Sequence, residues 1–567
     1  MFKPQLLVSL KSYSAKTFAG DVIAGIIVGI VALPLAIAFA IASGVKPEAG
    51  LFTAIVAGFC ISAFGGSTVQ IGGPTGAFAV IVYGVVAEFG IAGLATATVM
   101  AGILLILLGA FKMGGLVKFI PYTIVTGFTA GIAVTIAAGQ VGDFLGLAIT
   151  QFPDGFDKMP GDFLGKIHTY ALNIGAVNPY SLAVAAVSLV VLFVWPKISQ
   201  RIPGSLVVIV LATVATVVLR QTCGWETDTI GSRYGAIPSS LPAPKLPDFR
   251  LSTIRALFPT AVSIAVLAAI ESLLSAVVAD GMTGDKHDSD TELIGQGIAN
   301  IVSPLFGGIP ATGAIARTAT NIKNGGRTPV AGIVHALMLL LILLFLGRFA
   351  VYIPMAALAA VLIHVAWNMA GFRAIRALAH GELTDICVLT VTFLITVFID
   401  LTVAIEVGLG VAAFFFIKKM CDLSEVQAKR ENLTDGVGIN RVDGDYENSE
   451  KLDVPAGVMV YEIDGPLFFG TVRKFEVAVT QANLAYKVLV LRMRNTMYLD
   501  AGGIRALEQA KASCDKKGVQ IVLSGIHTQP YLLCEKMGLL DKLGRENVCA
   551  HIDLAMARAR EILAGRA

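Results

Sequence analysis

Residues 64–87 read FGGSTVQIGGPTGAFAVIVYGVVA, and residues 306–322 read FGGIPATGAIARTATNI. Both stretches open on Phe-Gly-Gly and pass through a proline and glycine break, Pro74-Thr75-Gly76-Ala77 in one and Pro310-Ala311-Thr312-Gly313-Ala314 in the other. Each then continues as a short apolar run, Phe78 to Ala87 and Ile315 to Ile322. A run of this length cannot cross a bilayer alone, since a spanning helix takes about 20 residues. Lipid leaves free backbone N–H and C=O groups unsatisfied, so breaks at membrane depth belong where protein or a wet cavity surrounds them. The two runs therefore read as half-helices starting in mid-membrane, with their free N–H groups and positive dipole ends facing a cavity. Two such ends meeting on a repeat axis form an anion site with few charged side chains. The plainer alternative is that the glycines only let helices pack closely.

The surrounding sequence supplies the membrane. Of the 567 residues, 55% are apolar and 15% charged, and the mean hydropathy is +0.76. The blocks Val22 to Ala42, Leu94 to Phe111, Ala256 to Ala279 and Pro329 to Phe345 are each of spanning length. The first follows Lys3, Lys11 and Lys16 but is too long for a signal peptide and reads as a retained helix. About fourteen segments fit between Gly20 and Lys419. With an even count both termini share a side. That side carries Lys112, Lys118, Lys197, Arg201, Lys323, Arg327, Arg373, Arg376, Lys418 and Lys419, whereas the opposite loop Gly139 to Tyr180 holds Asp143, Asp154, Asp157 and Asp162. The excess of basic residues puts both termini in the cytoplasm.

A second ordered match strengthens the repeat: Phe119-Ile120-Pro121 in the first half and Tyr352-Ile353-Pro354 in the second. Seven segments per half, an odd number, would invert the second half relative to the first. The expected layout is an N-terminus over 1–19, a transport domain over 20–420 with repeats at about 20–220 and 255–420, a linker over 421–452 and a soluble domain over 453–567. In the last, Gly457 to Ile463, Lys487 to Met493 and Val519 to Gly525 read as strands. Thr471 to Ala482, Ala501 to Lys516, Gln529 to Met537 and Asp553 to Leu563 have helical spacing, giving a small α/β domain.

Few charges lie inside the apolar blocks. Arg317 sits one turn past Gly313 in a stretch otherwise uncharged from Pro304 to Asn321. An intramembrane arginine is costly, so it binds the anion, neutralises a carboxylate or snorkels to the interface. Glu271 interrupts Ala261 to Val278, with no opposite charge three or four residues away on its own helix. It reads as a proton-coupling group or as the ion-pair partner of Arg317. Asp400 and Glu406 flank a turn and are assigned no site. His168, His287, His335, His364 and His380 are scattered, and no H-E-x-x-H, G-x-S-x-G or Walker pattern occurs, which argues against an enzyme or ATP-driven pump. The seven cysteines show no C-x-x-C spacing, so neither a disulfide framework nor a metal site is expected, and no cofactor is indicated. A net charge of +3 gives no support to nucleic-acid binding.

Several motifs together resemble the sulfate permeases and related anion exchangers, the SulP family: Gly20-Asp21, Leu33-Pro34, Gly72-Gly73-Pro74-Thr75, Glu292-Leu293, Gln296-Gly297, Asn300 and Ala316-Arg317-Thr318. The resemblance covers nearly the whole chain, and Asp280 to Gly284 together with the stretch to Arg317 is similar to bacterial members that move C4-dicarboxylates. It implies fourteen segments in core and gate domains, with substrate between the third and tenth, an elevator-like shift and a homodimer in the bacterial inner membrane. Phe39 matches the family's apolar contact to the anion. Carried onto this chain, the substrate-binding set is Phe39, Gly73, Pro74, Thr75, Gly76, Ala77, Ala314, Ile315, Ala316, Arg317 and Thr318, with Glu271 for proton coupling. The tail resembles a STAS domain at Tyr498-Leu499-Asp500-Ala501-Gly502-Gly503, able to bind a cytoplasmic partner. Where anti-sigma antagonists carry a phosphorylated serine this chain has Gly502, which cannot be phosphorylated. Sodium-coupled bicarbonate members carry aspartate at the place of Glu271 and threonine at that of Ile315, and losing a hydroxyl ligand weakens the case for sodium. The reading is proton-coupled uptake of succinate or fumarate. Sulfate or bicarbonate transport, anion exchange, a channel-like conductor and a tail acting mainly as an interaction platform are the alternatives.

Overall fold

The computed structural model describes residues 2–115, 121–153, 156, 159–199, 203–399, 401–429, 454–480 and 486–565. Lys118, Phe119, Ile120, Asp154, Asp157, Arg201, Asp400 and residues 430–452 of the expected linker lie outside them. The chain divides into Met1–Ala412 and Ala413–Ala567.

The first unit is helical. Its first repeat comprises α1 Ala15–Ala42, α2 Pro47–Phe64, α3 (77–89), α4 (91–110), α5 Tyr122–Gly139, α6 Pro179–Ile198 and α7 Gly204–Cys223. Helices α3 and α4 are one run, Ala77–Ala110, broken at Gly90 with φ 68° and ψ −174°, a conformation suited to glycine. The second repeat comprises α8 Leu251–Thr283, α9 Ser289–Leu305, α10 Ile315–Lys323, α11 Val330–Leu346, α12 Met355–Met369, α13 Leu383–Phe398 and α14 Leu401–Leu423, the last running into the second unit. Among the described residues the fourteen expected segments are thus present, in two sets of seven. The first helix starts earlier than expected, at Ala15, because the Ser14 hydroxyl caps it by accepting from the Thr17 amide. Pro121 and Pro354 both occupy the N-cap position of their helices, α5 and α12.

Glycines decide which helices touch. A Cβ on Gly102 would lie 2.6 Å from the Gly297 carbonyl oxygen, and one on Gly297 would lie 2.5 Å from that of Gly102, so α4 and α9 cross backbone to backbone. Gly25 and Gly29 likewise admit α11 against α1, and Gly127 and Gly131 admit α13 against α5. Helices α1–α4 and α8–α11 form one packed group, and α5, α6, α7, α12 and α13 a second.

In the second unit β3 Glu425–Lys429, β4 Val458–Asp464, β5 Val488–Asn495, β6 Gln520–Ser524 and β7 Val548–Cys549 form a sheet in sequence order. It is parallel except for β3, which runs antiparallel to β4. Helices α15 Val472–Thr480, α16 Ala501–Asp515, α17 Thr528–Lys536 and α18 Ile552–Leu563 complete it. Alternation along β5 sends Leu489, Leu491 and Met493 to the layer with Ile504 and Leu507, and Val488 and Val490 to Ala555 and Met556. The expected linker over 421–452 needs correction at its start: α14 continues to Leu423, and Glu425–Lys429 is a strand paired with β4. The polar composition of that stretch hid an edge strand.

Candidate functional site

Two backbone breaks meet at the centre of the first unit. Strand β1, Gly72–Gly73, pairs antiparallel with β2, Thr312–Gly313, and the Ala314 amide donates to the Ile71 carbonyl at 2.9 Å. Buried side chains satisfy the rest. Glu292 accepts from the Gly66 and Ser67 amides on Oε2 and from the Gln70 and Gln296 side-chain amides on Oε1, at 2.8 to 3.1 Å. The Ile71 amide donates to Thr318 Oγ1, and Asn321 Nδ2 to the Val69 carbonyl. At the second break the Ile309 amide donates to Thr53 Oγ1, the Ala311 amide to Asn300 Oδ1 and the Gly313 amide to Ser272 Oγ. Each chain break is thereby held in a water-poor interior without helix or wide sheet.

Past the breaks, α3 follows Gly76 and α10 follows Ala314, neither with a side-chain cap. No side chain takes up their first-turn N–H groups, and apart from the Ala79 amide, which donates to the Gly76 carbonyl, these are open to a ligand. Both ends border a cavity of about 440 Å³. Phe39, Thr75, Gly76, Ala77, Glu271, Ala314, Ile315, Ala316 and Arg317 line it, so most of the expected residues are brought together. Gly73, Pro74 and Thr318 do not line it, which corrects their placement. Gly73 lies in the strand with φ 149°, the Pro74 carbonyl accepts from Arg317 Nη2, and Thr318 is spent on the Ile71 amide. Val125, Phe128 and Thr129 of α5 with Val365, Asn368 and Met369 of α12, residues sequence reasoning missed, face the half-helix ends across the cavity, and Leu35, Ile270, Leu274 and Gly313 complete the lining. The α5 and α12 residues carry no break or charge, and the proline match before α5 and α12 was the one signal toward them.

Arg317 is 2% exposed and ties the two breaks together through Pro74, while its Nη1 has no hydrogen-bond partner among the described residues. It does not snorkel and, among those residues, it does not approach Glu271 within the 4.0 Å of an ion pair, so of the two readings of Glu271 the direct pair with Arg317 is not formed and Arg317 stands as a buried positive charge on the cavity lining. Glu271 instead accepts from Thr75 Oγ1 at 2.9 Å. Asp21, quoted above only as a motif, ties α1 to the loop after α10 by accepting from the Arg327 and Thr328 amides and the Thr328 hydroxyl.

Residues 18–392 match the sulfate permease family and residues 451–555 the STAS domain. The chain belongs to the sulfate permease family. As a member it is a polytopic membrane transporter of anions with a C-terminal STAS domain. YvdB of Bacillus subtilis (strain 168), named as a candidate sulfate transporter, is 41% identical over 96% of this chain and 98% of its own length. The bicarbonate transporter BicA of Picosynechococcus sp. is 30% identical over 93% of this chain and 92% of its own. Among solved structures, SLC26A9 superposes with a TM-score of 0.85 at 19% identity, covering 99% of this chain and 93% of that one, a likeness of fold. The BicA transmembrane domain gives 0.62 at 31% identity over 71% of this chain and 98% of that one.

Proposed function

We propose that the chain takes up a small carboxylate-bearing anion, a C4-dicarboxylate such as succinate or fumarate, together with a proton. Transport proceeds by a shift of the group holding both breaks against the group holding α5 and α12, in a homodimer with both termini in the cytoplasm of a bacterial cell. The observation carrying this reading is Glu271, a carboxylate on the cavity wall that is hydrogen-bonded to Thr75 between two uncapped half-helix ends. An ionised carboxylate repels an arriving anion, so anion binding and protonation of Glu271 favour each other, and reciprocity of linkage makes each ligand draw in the other. The dipole ends and the buried Arg317 supply the attraction. Leu35, Phe39, Phe128, Ile270, Leu274 and Ile315 give the cavity an apolar wall, which accommodates a carbon skeleton better than a fully hydrated inorganic ion.

A second reading, sulfate or bicarbonate, is favoured by the names of YvdB and BicA. Uptake of radiolabelled succinate, fumarate, sulfate and bicarbonate into proteoliposomes, with internal pH followed at the same time, decides between them. Succinate or fumarate uptake with internal acidification supports the first reading; inorganic anion uptake alone removes it.

A further inference from the structure

A second cavity, of about 330 Å³, opens beyond the first along the same three helices. Walking toward the C-terminal end of α1, one passes from Leu35 and Phe39 to Ile41 and Ala42; along α3, from Ala77 to Ala79, Val80 and Tyr83; along α5, from Phe128 and Thr129 to Ile136 and Gln140. Seven residues of helix separate Thr129 from Ile136, a rise of about 10 Å. Between the two cavities Phe39, Ile136 and Met369 converge on Gly76, where a Cβ would lie 3.1, 3.0 and 3.3 Å from their nearest atoms. Phe39 and Met369 line the inner cavity and Ile136 the outer, so these three apolar side chains form the septum where the two approach.

The outer cavity is chemically unlike the inner one. Its lining carries Lys166, Arg233 and Asp143, and Arg233 is ion-paired to Asp143, so among the described residues the Lys166 ammonium is the charge on this lining without an ion-pair partner. Among the described residues Lys166 Nζ has no hydrogen bond or ion pair and rests over the Tyr83 ring, 4.2 Å from its centroid. Asp162, one turn earlier, is engaged by the Gly165 amide at 2.7 Å. Burial pulls the Lys166 ammonium below the ordinary lysine value, against the opposing pull of Asp162. Gln140, 5% exposed, makes no side-chain hydrogen bond among the described residues. A partly desolvated cation and a free amide donor facing one space, on the pathway side of the apolar septum, make an anion-recognition arrangement.

We propose that this cavity is a second anion site, in which Lys166 and Gln140 hold a small anion before it passes the Phe39, Ile136 and Met369 septum to the half-helix ends. It rests on the reading of the inner cavity as the transport site. Because the outer site captures and does not translocate, losing its charge raises KM and flattens the dependence on ionic strength while leaving the maximal rate.

Two measurements on the full chain test this. In the first, pyridoxal phosphate, an anionic aldehyde, is reacted with the protein in detergent and trapped with borohydride, and Lys166 labelling is read by peptide mass spectrometry with and without sulfate or succinate. Slower labelling with added anion, in the wild type and equally in Arg317→Ala, supports a separate outer site. Unprotected Lys166 overturns it whatever the protein transports, and protection lost in Arg317→Ala assigns the effect to the inner cavity and also overturns it. In the second, initial rates are compared for the wild type, Lys166→Met and Lys166→Arg with whichever of succinate, sulfate or bicarbonate the wild type carries. A rise in KM of about fivefold in Lys166→Met, restored in Lys166→Arg, is expected. An unchanged KM, a loss confined to the maximal rate, or an equally impaired Lys166→Arg contradicts it.

Discussion

Thr75 Oγ1 donates to Glu271 Oε2 at 2.9 Å, joining the residue that opens the first half-helix to a carboxylate on α8 of the second repeat. The contact puts Glu271, the proposed coupling group, beside the proposed anion position. Glu271→Gln keeps the shape and the acceptor for Thr75 but cannot exchange a proton. It is expected to transport with a flattened pH profile and without internal acidification. A wild-type pH profile in proteoliposomes would remove Glu271 from coupling.

Thr75→Val deletes the donor to Glu271 while preserving volume. A hydrogen bond to a charged partner contributes on the order of 1.5–3 kcal/mol, so roughly a tenfold or greater change in transport efficiency is expected. Thr75→Ser, which retains the hydroxyl, should recover most of it. Equal efficiencies for the valine and serine variants would show that the contact is incidental.

Arg317→Ala removes both the charge under the cavity and the link to the Pro74 carbonyl. Anion affinity should fall by about tenfold or more, as expected when a desolvated cation is lost from a binding site. Arg317→Lys keeps the charge but not the planar fork, so it should recover affinity only in part. Calorimetric titration with unchanged affinity in Arg317→Ala would place the attraction in the helix ends alone.

Much of this arrangement is legible in the sequence. The two Phe-Gly-Gly stretches placed the breaks, and backbone satisfaction in lipid required them to face inward. Thr75, Ala316 and Arg317 followed from that. What stayed hidden was what depends on packing. Val125, Phe128 and Asn368 border the cavity because α5 and α12 cross in front of the breaks, and nothing in an apolar helix marks which face meets a cavity. Thr318 and Gly73 sat in the right motif, yet their roles went to the backbone, since a broken strand needs its amide groups satisfied before a ligand is considered. Residues 425–429 lay in polar sequence and became a strand through their pairing with β4.

Glu292 shows how much of the site is support. Its two oxygens accept from four donors, and it is fully buried. Glu292→Gln turns one oxygen into an NH₂ group, which either faces the Gly66 and Ser67 amides as donor against donor or turns to Gln70 and Gln296, whose amides must then flip to present their oxygens and leave their buried NH₂ groups without Glu292 as acceptor. Leaving such groups unsatisfied costs roughly 1–3 kcal/mol each, so a marked fall in thermal stability is expected even though the substitution is nearly isosteric. Thermal unfolding in detergent measures it. A midpoint matching the wild type would mean that the loop from Gly65 to Gln70 is held by other contacts.

In the tail domain Asp500 supports two elements at once. Oδ1 accepts from the Gly503 amide at 2.7 Å as the N-cap of α16, and Oδ2 accepts from the Phe469 amide at 3.0 Å. The neighbouring Gly502 brings no side chain to this loop, so Asp500 alone supplies these two acceptor contacts. Asp500→Ala removes both acceptors. Loss of an N-cap costs about 1 kcal/mol and frees the first turn, so amide exchange over residues 501–504 and at Phe469 should quicken by roughly fivefold to tenfold. Asp500→Asn, which keeps one side-chain oxygen, should protect the helix end but not Phe469. Hydrogen exchange with mass spectrometry on the full chain resolves the two segments, and parallel behaviour of both in Asp500→Asn would show that a single contact, not two, holds this loop.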